Sequence, residues 1–182
     1  YIMNAVLVLF LCSKFGLSDA TAAIIYSCFY CGIYILSLVG GIIADRTQNY
    51  KGTIQAGLVT MAAGYVLLAI PITATDVNTS WLLPLTCFAL LMIAFGNGLF
   101  KGNLQVLVGN LYDDPKYSAK RDEGFSIFYM AINLGSMFAA AVALSIMAWT
   151  QEAYGISKAD SYHFAFAVAC ISLILSIIIY YA

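Results

Sequence analysis

The sequence predicts an all-α integral membrane protein, built as a bundle of six transmembrane helices. Hydrophobic residues make up 63% of the 182 residues and charged residues only 9%, against about 25% charged residues in an ordinary soluble domain. Mean hydropathy is +0.90. Six apolar runs follow one another, and each approaches or exceeds the roughly 20 residues that cross about 30 Å of hydrocarbon. Little chain remains for a soluble domain, and a lipid bilayer is the expected surroundings.

Charge and cysteine content exclude several other classes. The formal charge is -1, and no basic tract predicts a nucleic acid partner. Cys28 and Cys31 form a C-x-x-C, but inside an apolar run and without further ligands this pair predicts neither redox nor metal chemistry. All of the cysteines are interpreted as small hydrophobic residues: Cys12, Cys28, Cys31, Cys87 and Cys170. We therefore expect no cofactor, no bound metal and no enzymatic activity.

The first three spans are expected at residues 1–15, 20–44 and 53–72. Because the first is too short to cross a membrane alone, its initial turns are expected to precede Tyr1. The start of the chain also lacks the basic region and cleavage site of a signal peptide. The third span is rich in small residues, as expected for a helix packed against others, and Pro71 is expected to end it.

A row of tyrosines follows one face of the second span. Tyr26, Tyr30 and Tyr34 recur at intervals of four, with Ser27 and Ser37 beside them. Aromatic rows often serve only to pack helices together. A buried phenol hydroxyl, however, needs a hydrogen-bond partner, so this row also fits the wall of a polar cavity. The sequence leaves both interpretations open.

The fourth span, expected at residues 81–110, contains one charged residue, Lys101. An ammonium deep in a bilayer costs about 2.5 to 3.5 kcal/mol, so it should face a partner or a wet cavity. Asn97, Lys101 and Gln105 are spaced four apart and therefore share one helix face. This polar face predicts that the fourth span forms one wall of an internal cavity.

Two further features bear on this interpretation of the fourth span. Gly98 and Gly102 form a small-xxx-small pair beside the polar face, which would let a neighbouring helix approach closely. The alternative is that Lys101 extends its ammonium to the cytoplasmic interface and has no other role. Asn97 and Gln105 argue against that alternative, because an interfacial lysine needs no polar neighbours along the span.

The last two spans are expected at residues 124–149 and 162–182. Tyr129 and Asn133 lie four apart in the fifth span and form another polar face. The sixth span is apolar throughout, with His163 at its start. We expect His163 to be an interfacial residue rather than a proton relay.

Loop charges predict the orientation of the helices. The loops at residues 45–51 and 112–123 lie on one side of the membrane and hold five cations, whereas the other side has only Lys14 and Lys158. Cationic loops remain in the cytoplasm. We therefore expect a multi-pass protein of the cell membrane, plasma or bacterial inner, with both chain ends in the cytoplasm.

Three stretches resemble a known family. GGIIADRTQNYKGTI, residues 40–54, is similar to a signature at the turn between the second and third helices of the proton-dependent oligopeptide transporters, a branch of the major facilitator superfamily. RDEGFSIFYMAINLGSM, residues 121–137, resembles the fifth-helix signature, and NGLFKGN, residues 97–103, resembles a fourth-helix segment. Asn49 replaces a family glycine, which we expect the turn to accept because asparagine tolerates positive φ.

The resemblance implies the N-terminal half of a twelve-helix transporter. Its six helices would form two inverted three-helix repeats, and substrate would bind near the bilayer midplane against a C-terminal six-helix half. We expect that half to be absent from this chain.

The resemblance also implies roles for single residues. Lys101 matches a fourth-helix lysine of proton coupling and gating, Tyr34 a second-helix tyrosine that contacts peptide, and Asn133 a fifth-helix asparagine that holds the peptide. Tyr1 matches an aromatic residue of the first-helix motif. Asn4 stands where many members have arginine.

Other candidates come from the polar faces and the signature turn. The polar faces add Tyr30, Asn97 and Tyr129 to the substrate-binding residues. Asp45 and Arg46, in the Asp-Arg turn, match superfamily residues that tether the two halves while the transporter faces outward.

The function implied is proton-coupled import of di- and tripeptides by alternating access, without ATP, with the proton as coupling ion. Because Asn4 replaces a cation, a symporter for another small solute, such as an amino acid, nitrate or a peptide-like metabolite, is the first alternative. A non-transporting scaffold, receptor or channel subunit is the alternative from a different class.

Overall fold

The computed structural model describes residues 1–75 and 77–181. These residues form six α-helices and one 3₁₀ turn, and they include no strand. The all-α prediction is therefore confirmed. Five of the helices are long and apolar enough to cross a membrane, whereas the first is shorter. The helices are α1 (Ile2–Phe15), α2 (Asp19–Thr47), α3 (Tyr50–Ala69), α4 (Thr79–Asn110), α5 (Arg121–Tyr154) and α6 (Lys158–Tyr181), with the 3₁₀ turn at Ser118–Lys120.

Local capping and turn chemistry set several helix ends away from the predicted boundaries. α3 begins three residues earlier than predicted, because the Asn49 side chain accepts a hydrogen bond from the Gly52 amide at 2.9 Å. It ends at Ala69 because Ile70, which precedes Pro71, is extended. In α5 the acidic first turn, which suits a helix N-terminus, extends the helix to Arg121.

The turn between α2 and α3 differs from the expectation for Asn49. Asn49 has a φ of -114°, whereas the residue with positive φ is Gln48, at 52°. The prediction that Asn49 replaces glycine through its tolerance of positive φ is therefore wrong. Asn49 serves as the cap of α3, a role that asparagine fills better than glycine.

Aromatic packing against α6 holds the short helix α1. The Phe10 ring meets the rings of Phe166 and Tyr162 edge to face, with centroids 5.0 and 5.8 Å apart. Val6 and Leu7 of α1 are also fully buried. One whole side of α1 is buried, although the helix is short. Packing against the bundle therefore determines its position, rather than its own helical stability.

Glycines let α4 approach both α2 and α3 at backbone distance. A Cβ atom added to Gly40 of α2 would lie 2.5 Å from the Gly98 carbonyl oxygen of α4, and one added to Gly57 of α3 would lie 2.6 Å from the Gly96 carbonyl oxygen. A Cβ at Gly102 would meet only the Ser37 carbonyl, at 4.0 Å. Of the predicted small-xxx-small pair, Gly98 makes the close approach.

His163 lies inside the bundle rather than at its surface. Only 3% of the residue is exposed; its Nδ1 lies 2.6 Å from the Leu68 carbonyl oxygen of α3 and its Nε2 lies 2.5 Å from Nζ of Lys14. The prediction that His163 is an interfacial residue is wrong, because α6 begins at Lys158 and turns His163 toward α1 and α3. Lys14, treated above as a loop charge, is a buried residue of α1.

Neighbouring glycines of α2 provide a matched test of this packing. We expect Gly40→Ala to destabilise the full-length protein, because overpacking a tight contact costs about 1 to 3 kcal/mol. Gly41→Ala should be neutral or stabilising by up to about 1 kcal/mol, since a Cβ there meets nothing within 4 Å and alanine favours the helix.

Melting temperatures of the two variants in detergent would measure the difference. Equal melting temperatures for Gly40→Ala and Gly41→Ala would contradict the close packing of α2 on α4.

Candidate functional site

The fourth-span lysine contacts the second span near its middle. The Nζ of Lys101 lies 4.9 Å from the centroid of the Tyr34 ring. Such a cation–π contact is worth about 0.5 to 1 kcal/mol at an exposed site and about 2 kcal/mol or more when desolvated. Among residues 1–75 and 77–181 the one ion pair joins Arg121 to Asp113 at 3.8 Å. Within the described chain, the Lys101 ammonium therefore contacts an aromatic ring and forms no ion pair.

The predicted tyrosine row continues from this contact along α2. The hydroxyl oxygens of Tyr34 and Tyr30 lie 3.3 Å apart and share a hydrogen bond. Tyr30 in turn stacks on Tyr26, with centroids 5.9 Å apart. Tyr34 and Tyr30 are exposed, whereas Tyr26 is half-buried. The row therefore does more than pack helices together. We call the surface on which Tyr30, Tyr34 and Lys101 are exposed the open side of the bundle.

The polar face of α4 reaches the fifth span as well as the second. The Gln105 side-chain amide donates to the Tyr129 hydroxyl oxygen of α5 at 3.3 Å. Because Gln105 and Lys101 are one turn apart on α4, the residues Tyr26, Tyr30, Tyr34, Lys101, Gln105 and Tyr129 follow one another across three helices. We call these six residues the polar cluster.

Asn97, one turn before Lys101, lies deeper between the helices. Its amide oxygen is buried, and it has no hydrogen-bond partner among the described residues. A buried amide oxygen normally pairs with a donor. The polar face of α4 therefore extends from Lys101 to Asn97, between the helices.

The structure does not bring every predicted site residue into this cluster. Tyr1, which precedes the first residue of α1, is exposed. Asn133 is exposed on α5, one turn beyond Tyr129, and its side chain makes no hydrogen bond within the described chain. Both residues border the open side without touching the other candidates.

Asp45 and Arg46 lie at the far end of α2, away from the cluster. The Asp45 carboxylate accepts a hydrogen bond from the Tyr50 hydroxyl at 2.7 Å, across the turn between α2 and α3. Both residues of the Asp-Arg pair are exposed. The hydrogen bond thus fixes the turn between α2 and α3, and the exposed charges of Asp45 and Arg46 can contact another protein surface.

Asn103 is a functional candidate that the sequence analysis did not select. It is 1% exposed, and its amide donates to the Gly40 carbonyl of α2 at 3.1 Å and to the Leu99 carbonyl of its own helix at 2.8 Å. Asn103 thereby holds α2 against α4, two residues after Lys101 in α4 and six residues after Tyr34 in α2 through Gly40. A polar side chain within an apolar span was the available signal, but it did not reveal which neighbour Asn103 bonds.

The chemistry of the polar cluster suits a small zwitterionic or peptidic ligand. An ammonium attracts a carboxylate, phenol and amide groups exchange hydrogen bonds with peptide groups, and tyrosine faces contact apolar side chains.

In the part of the chain that the structure describes, no group of three His, Cys, Asp or Glu residues could hold a metal ion.

Comparisons with known proteins identify relatives of this chain. A family model described as the POT family matches residues 51–182. The di-/tripeptide transporter of Lactobacillus helveticus is 32% identical over 170 residues, which cover 91% of this chain and 31% of that protein. Dipeptide and tripeptide permease B of Xenorhabdus bovienii is 32% identical over 184 residues, covering 100% of this chain and 33% of that protein. The chain thus spans about a third of the length of these curated relatives.

Solved structures show the same fold. A proton-dependent oligopeptide transporter superposes with a TM-score of 0.84 at 32% identity, covering 99% of this chain and 37% of that one. A POT family transporter in complex with 5-aminolevulinic acid has a TM-score of 0.76 at 28% identity, covering 100% of this chain and 34% of that one. The predicted fold class, part of a major facilitator superfamily bundle, is confirmed.

Proposed function

Because the chain belongs to the POT family, a family of transporters and not of enzymes, we propose that the full-length protein imports di- and tripeptides together with protons by alternating access. The observation that carries the proposal is the match of the family model to residues 51–182, which include Lys101 and Asn133. The proposal extends to this chain what the names of its relatives state of those proteins.

Peptide recognition is assigned to the open side of the bundle. Tyr30, Tyr34 and Tyr129 expose hydroxyls there, and Asn133 offers an amide with both donor and acceptor groups. Tyr1 and Asn97 would complete the binding site, Tyr1 from the start of α1 and Asn97 from the inner end of the polar face. These side chains bind peptide groups common to all short peptides, which suits a site that accepts many sequences.

Lys101 is assigned to coupling the proton to the gate. Its ammonium needs a carboxylate partner in the resting state, and we place that partner on a helix of the C-terminal half. Protonating that carboxylate, or engaging it with substrate, removes its charge from the pair. The halves then part, because a desolvated ion pair does not survive the loss of one charge.

A C-terminal six-helix half of the same protein is part of this proposal. α5 exposes large apolar side chains along much of its length, a surface that requires lipid or protein to cover it: Ile127, Met130, Leu134, Met137, Phe138 and Leu144. We assign residues 1–182 to the N-terminal half, as two inverted three-helix repeats, with substrate held between the halves.

The proposed location is a cell membrane, plasma or bacterial inner, with both ends of the chain in the cytoplasm. The turns before α3 and α5 carry most of the cations and lie on the cytoplasmic side. Because Lys14 is buried in α1, Lys158 is the exposed cation on the outer side among the described residues, which strengthens the asymmetry of charge.

A symporter for a peptide-like metabolite is the second candidate. Asn4, which stands where many members have arginine, is exposed on α1, so one cation for a peptide carboxylate is absent from that position. A related POT transporter binds 5-aminolevulinic acid, a small amino acid derivative. Competition between peptides and this compound for uptake separates the two candidates.

Transport in liposomes tests the substrate and the coupling together. We expect the full-length protein, reconstituted in liposomes, to acidify the interior when di- or tripeptides are added outside, because protons enter with the peptide. A pH-sensitive dye inside the vesicles measures the change, and protein-free liposomes are the control. If no di- or tripeptide moves while other small solutes do, the substrate assignment is wrong.

Removing the charge at Lys101 tests its coupling role. We expect Lys101→Ala to abolish uptake against a peptide gradient while peptide binding and exchange persist, because Tyr34 and Asn133 still shape the site. Lys116→Ala is a matched control, since Lys116 makes the same kind of contact, 5.2 Å from the Tyr117 ring, on the connection between α4 and α5. Full concentrative uptake by Lys101→Ala would show that Lys101 only extends to the interface.

Neutralising Asp45 tests the proposed gate on the cytoplasmic side. We expect Asp45→Asn to change the ratio of inward-facing to outward-facing molecules without abolishing substrate affinity, because the charge acts between the halves and not on the peptide. Spectroscopic distances between labelled halves measure the ratio.

Two further variants test whether a change in the inward-facing population comes from the Asp45 charge itself. Tyr50→Phe removes the hydrogen bond to Asp45 and keeps the carboxylate, and Asp122→Asn removes an exposed charge on the same side. Equal inward-facing populations in Asp45→Asn and the parent protein would contradict the gating role.

A further inference from the structure

A second polar site lies at the other end of the bundle from the Asp-Arg turn. It joins Lys14 near the end of α1, His163 near the start of α6 and the Leu68 carbonyl near the end of α3. Lys14 is 8% exposed and His163 3%. No part of the polar cluster touches this site, and the proposed transport mechanism does not use it.

The hydrogen bonds of His163 determine where its proton lies. A carbonyl oxygen can only accept, so the Nδ1 that faces Leu68 at 2.6 Å must carry hydrogen. In a neutral ring Nε2 then has a lone pair, which accepts a hydrogen bond from the Lys14 ammonium at 2.5 Å. The pair holds one positive charge. If Nε2 also took a proton, two donors with like charge would face each other, and this contact would be lost.

The groups around Lys14 and His163 favour one positive charge on this pair rather than two. Asp160, one turn before His163, interacts electrostatically with both Lys14 and His163, and it is held by Ser157 at 2.8 Å and by Thr73 at 3.4 Å. One carboxylate balances one cation but not two.

The other neighbours of His163 offer no further balancing charge. α1 contributes the Phe10 ring, 5.4 Å from the Lys14 ammonium and 6.2 Å from the His163 ring. Tyr162, a phenol, precedes His163 on α6, and α4 contributes the Thr86 hydroxyl to the cavity beside the pair. On α5, which packs against α6, Glu152 is exposed. The described neighbours thus supply a single carboxylate close to the pair.

The size of the site restricts what can bind there. Lys14, His163 and Thr86 line a cavity of about 10 Å³ between α1, α3, α4 and α6. A water molecule needs about 10 to 15 Å³, so a larger anion or a metal ion with its ligands does not fit. A water molecule at most fits beside the pair, and the ligand that the two facing nitrogens can share is a proton.

We propose that Lys14 and His163 form a proton-binding latch, which holds the end of α1 to α3 and α6 when it carries one proton and releases it when His163 binds a second. The second proton comes from the solution and bonds to Nε2 of His163, with no other bond broken than the hydrogen bond to Lys14. The outer side of the membrane is the side it senses, which rests on the proposed orientation.

Distances within the full-length protein test the latch. Spin labels at Ser13 of α1 and Ile70 beside the end of α3, both exposed, report whether the two ends separate in lipid nanodiscs. As the pH falls from about 7.5 to about 5, across and below the ordinary histidine pKa of about 6.5, we expect the population with the longer distance to rise several-fold in the parent protein.

Variants of the pair should remove this response. His163→Gln keeps an amide donor for Leu68 and an acceptor for Lys14 without titrating, and Lys14→Met removes the repelling charge. Neither variant should change its distance between the two pH values, and His163→Gln should keep the short distance at both. Lys158→Met, which removes an exposed cation of α6 outside the pair, should respond as the parent does.

The outcome is independent of transport. A distance that does not change with pH in the parent, or an unchanged acid response in His163→Gln, would overturn the latch even if peptide uptake were intact. Conversely, a protein that moved no peptide but opened this end in acid would retain the latch and lose the proposed function. The parent measurement needs neither variant, so an unchanged distance in the parent overturns the latch even if both variants fail to fold.

Discussion

The charge of Lys101 is the constraint on which the arrangement of the central helices depends. An ammonium in the middle of an apolar helix is tolerated only where it is kept from lipid. Here the backbones of α2 and α4 meet at Gly40 and Gly98, Asn103 joins them by a hydrogen bond to the Gly40 carbonyl, and Tyr34 is thereby brought against the ammonium. The glycines, the asparagine and the tyrosine act as one unit that presents a cation to the open side of the bundle.

The two membrane lysines are stabilised in different ways. Lys101 is exposed on the open side and rests on an aromatic ring, so its charge remains available to a ligand or to a second half of the protein. Lys14 is buried, and its hydrogen bond to His163 keeps its charge within the bundle. In the functions proposed here, the first lysine joins substrate to gate, and the second joins three helix ends in a manner that depends on protonation.

Helical spacing predicted which residues share a face but not what covers that face. The tyrosine row of α2 and the alignment of Lys101 with Gln105 follow from intervals of four, and both are present. The contacts of Lys101 with Tyr34 and of Gln105 with Tyr129 join different helices, so no local pattern contains them. His163 was misjudged for the same reason. A histidine at the start of an apolar helix has the same sequence context whether it faces solvent or a neighbouring helix. Here α6 begins earlier than predicted, at Lys158, and this places His163 against the neighbouring helices.

Access of water to position 101 is the measurement that bears most directly on the central assignment. In full-length protein with its exposed cysteines replaced, Lys101→Cys should react with a membrane-impermeant, water-soluble thiol reagent, and a bound dipeptide should slow that reaction. Gly41→Cys, at a position of α2 where an added Cβ meets nothing within 4 Å, serves as a comparison for reactivity without ligand protection. If Lys101→Cys reacts only with lipid-soluble reagents, or equally fast with and without dipeptide, then Lys101 does not face a wet substrate cavity and its assigned role is wrong.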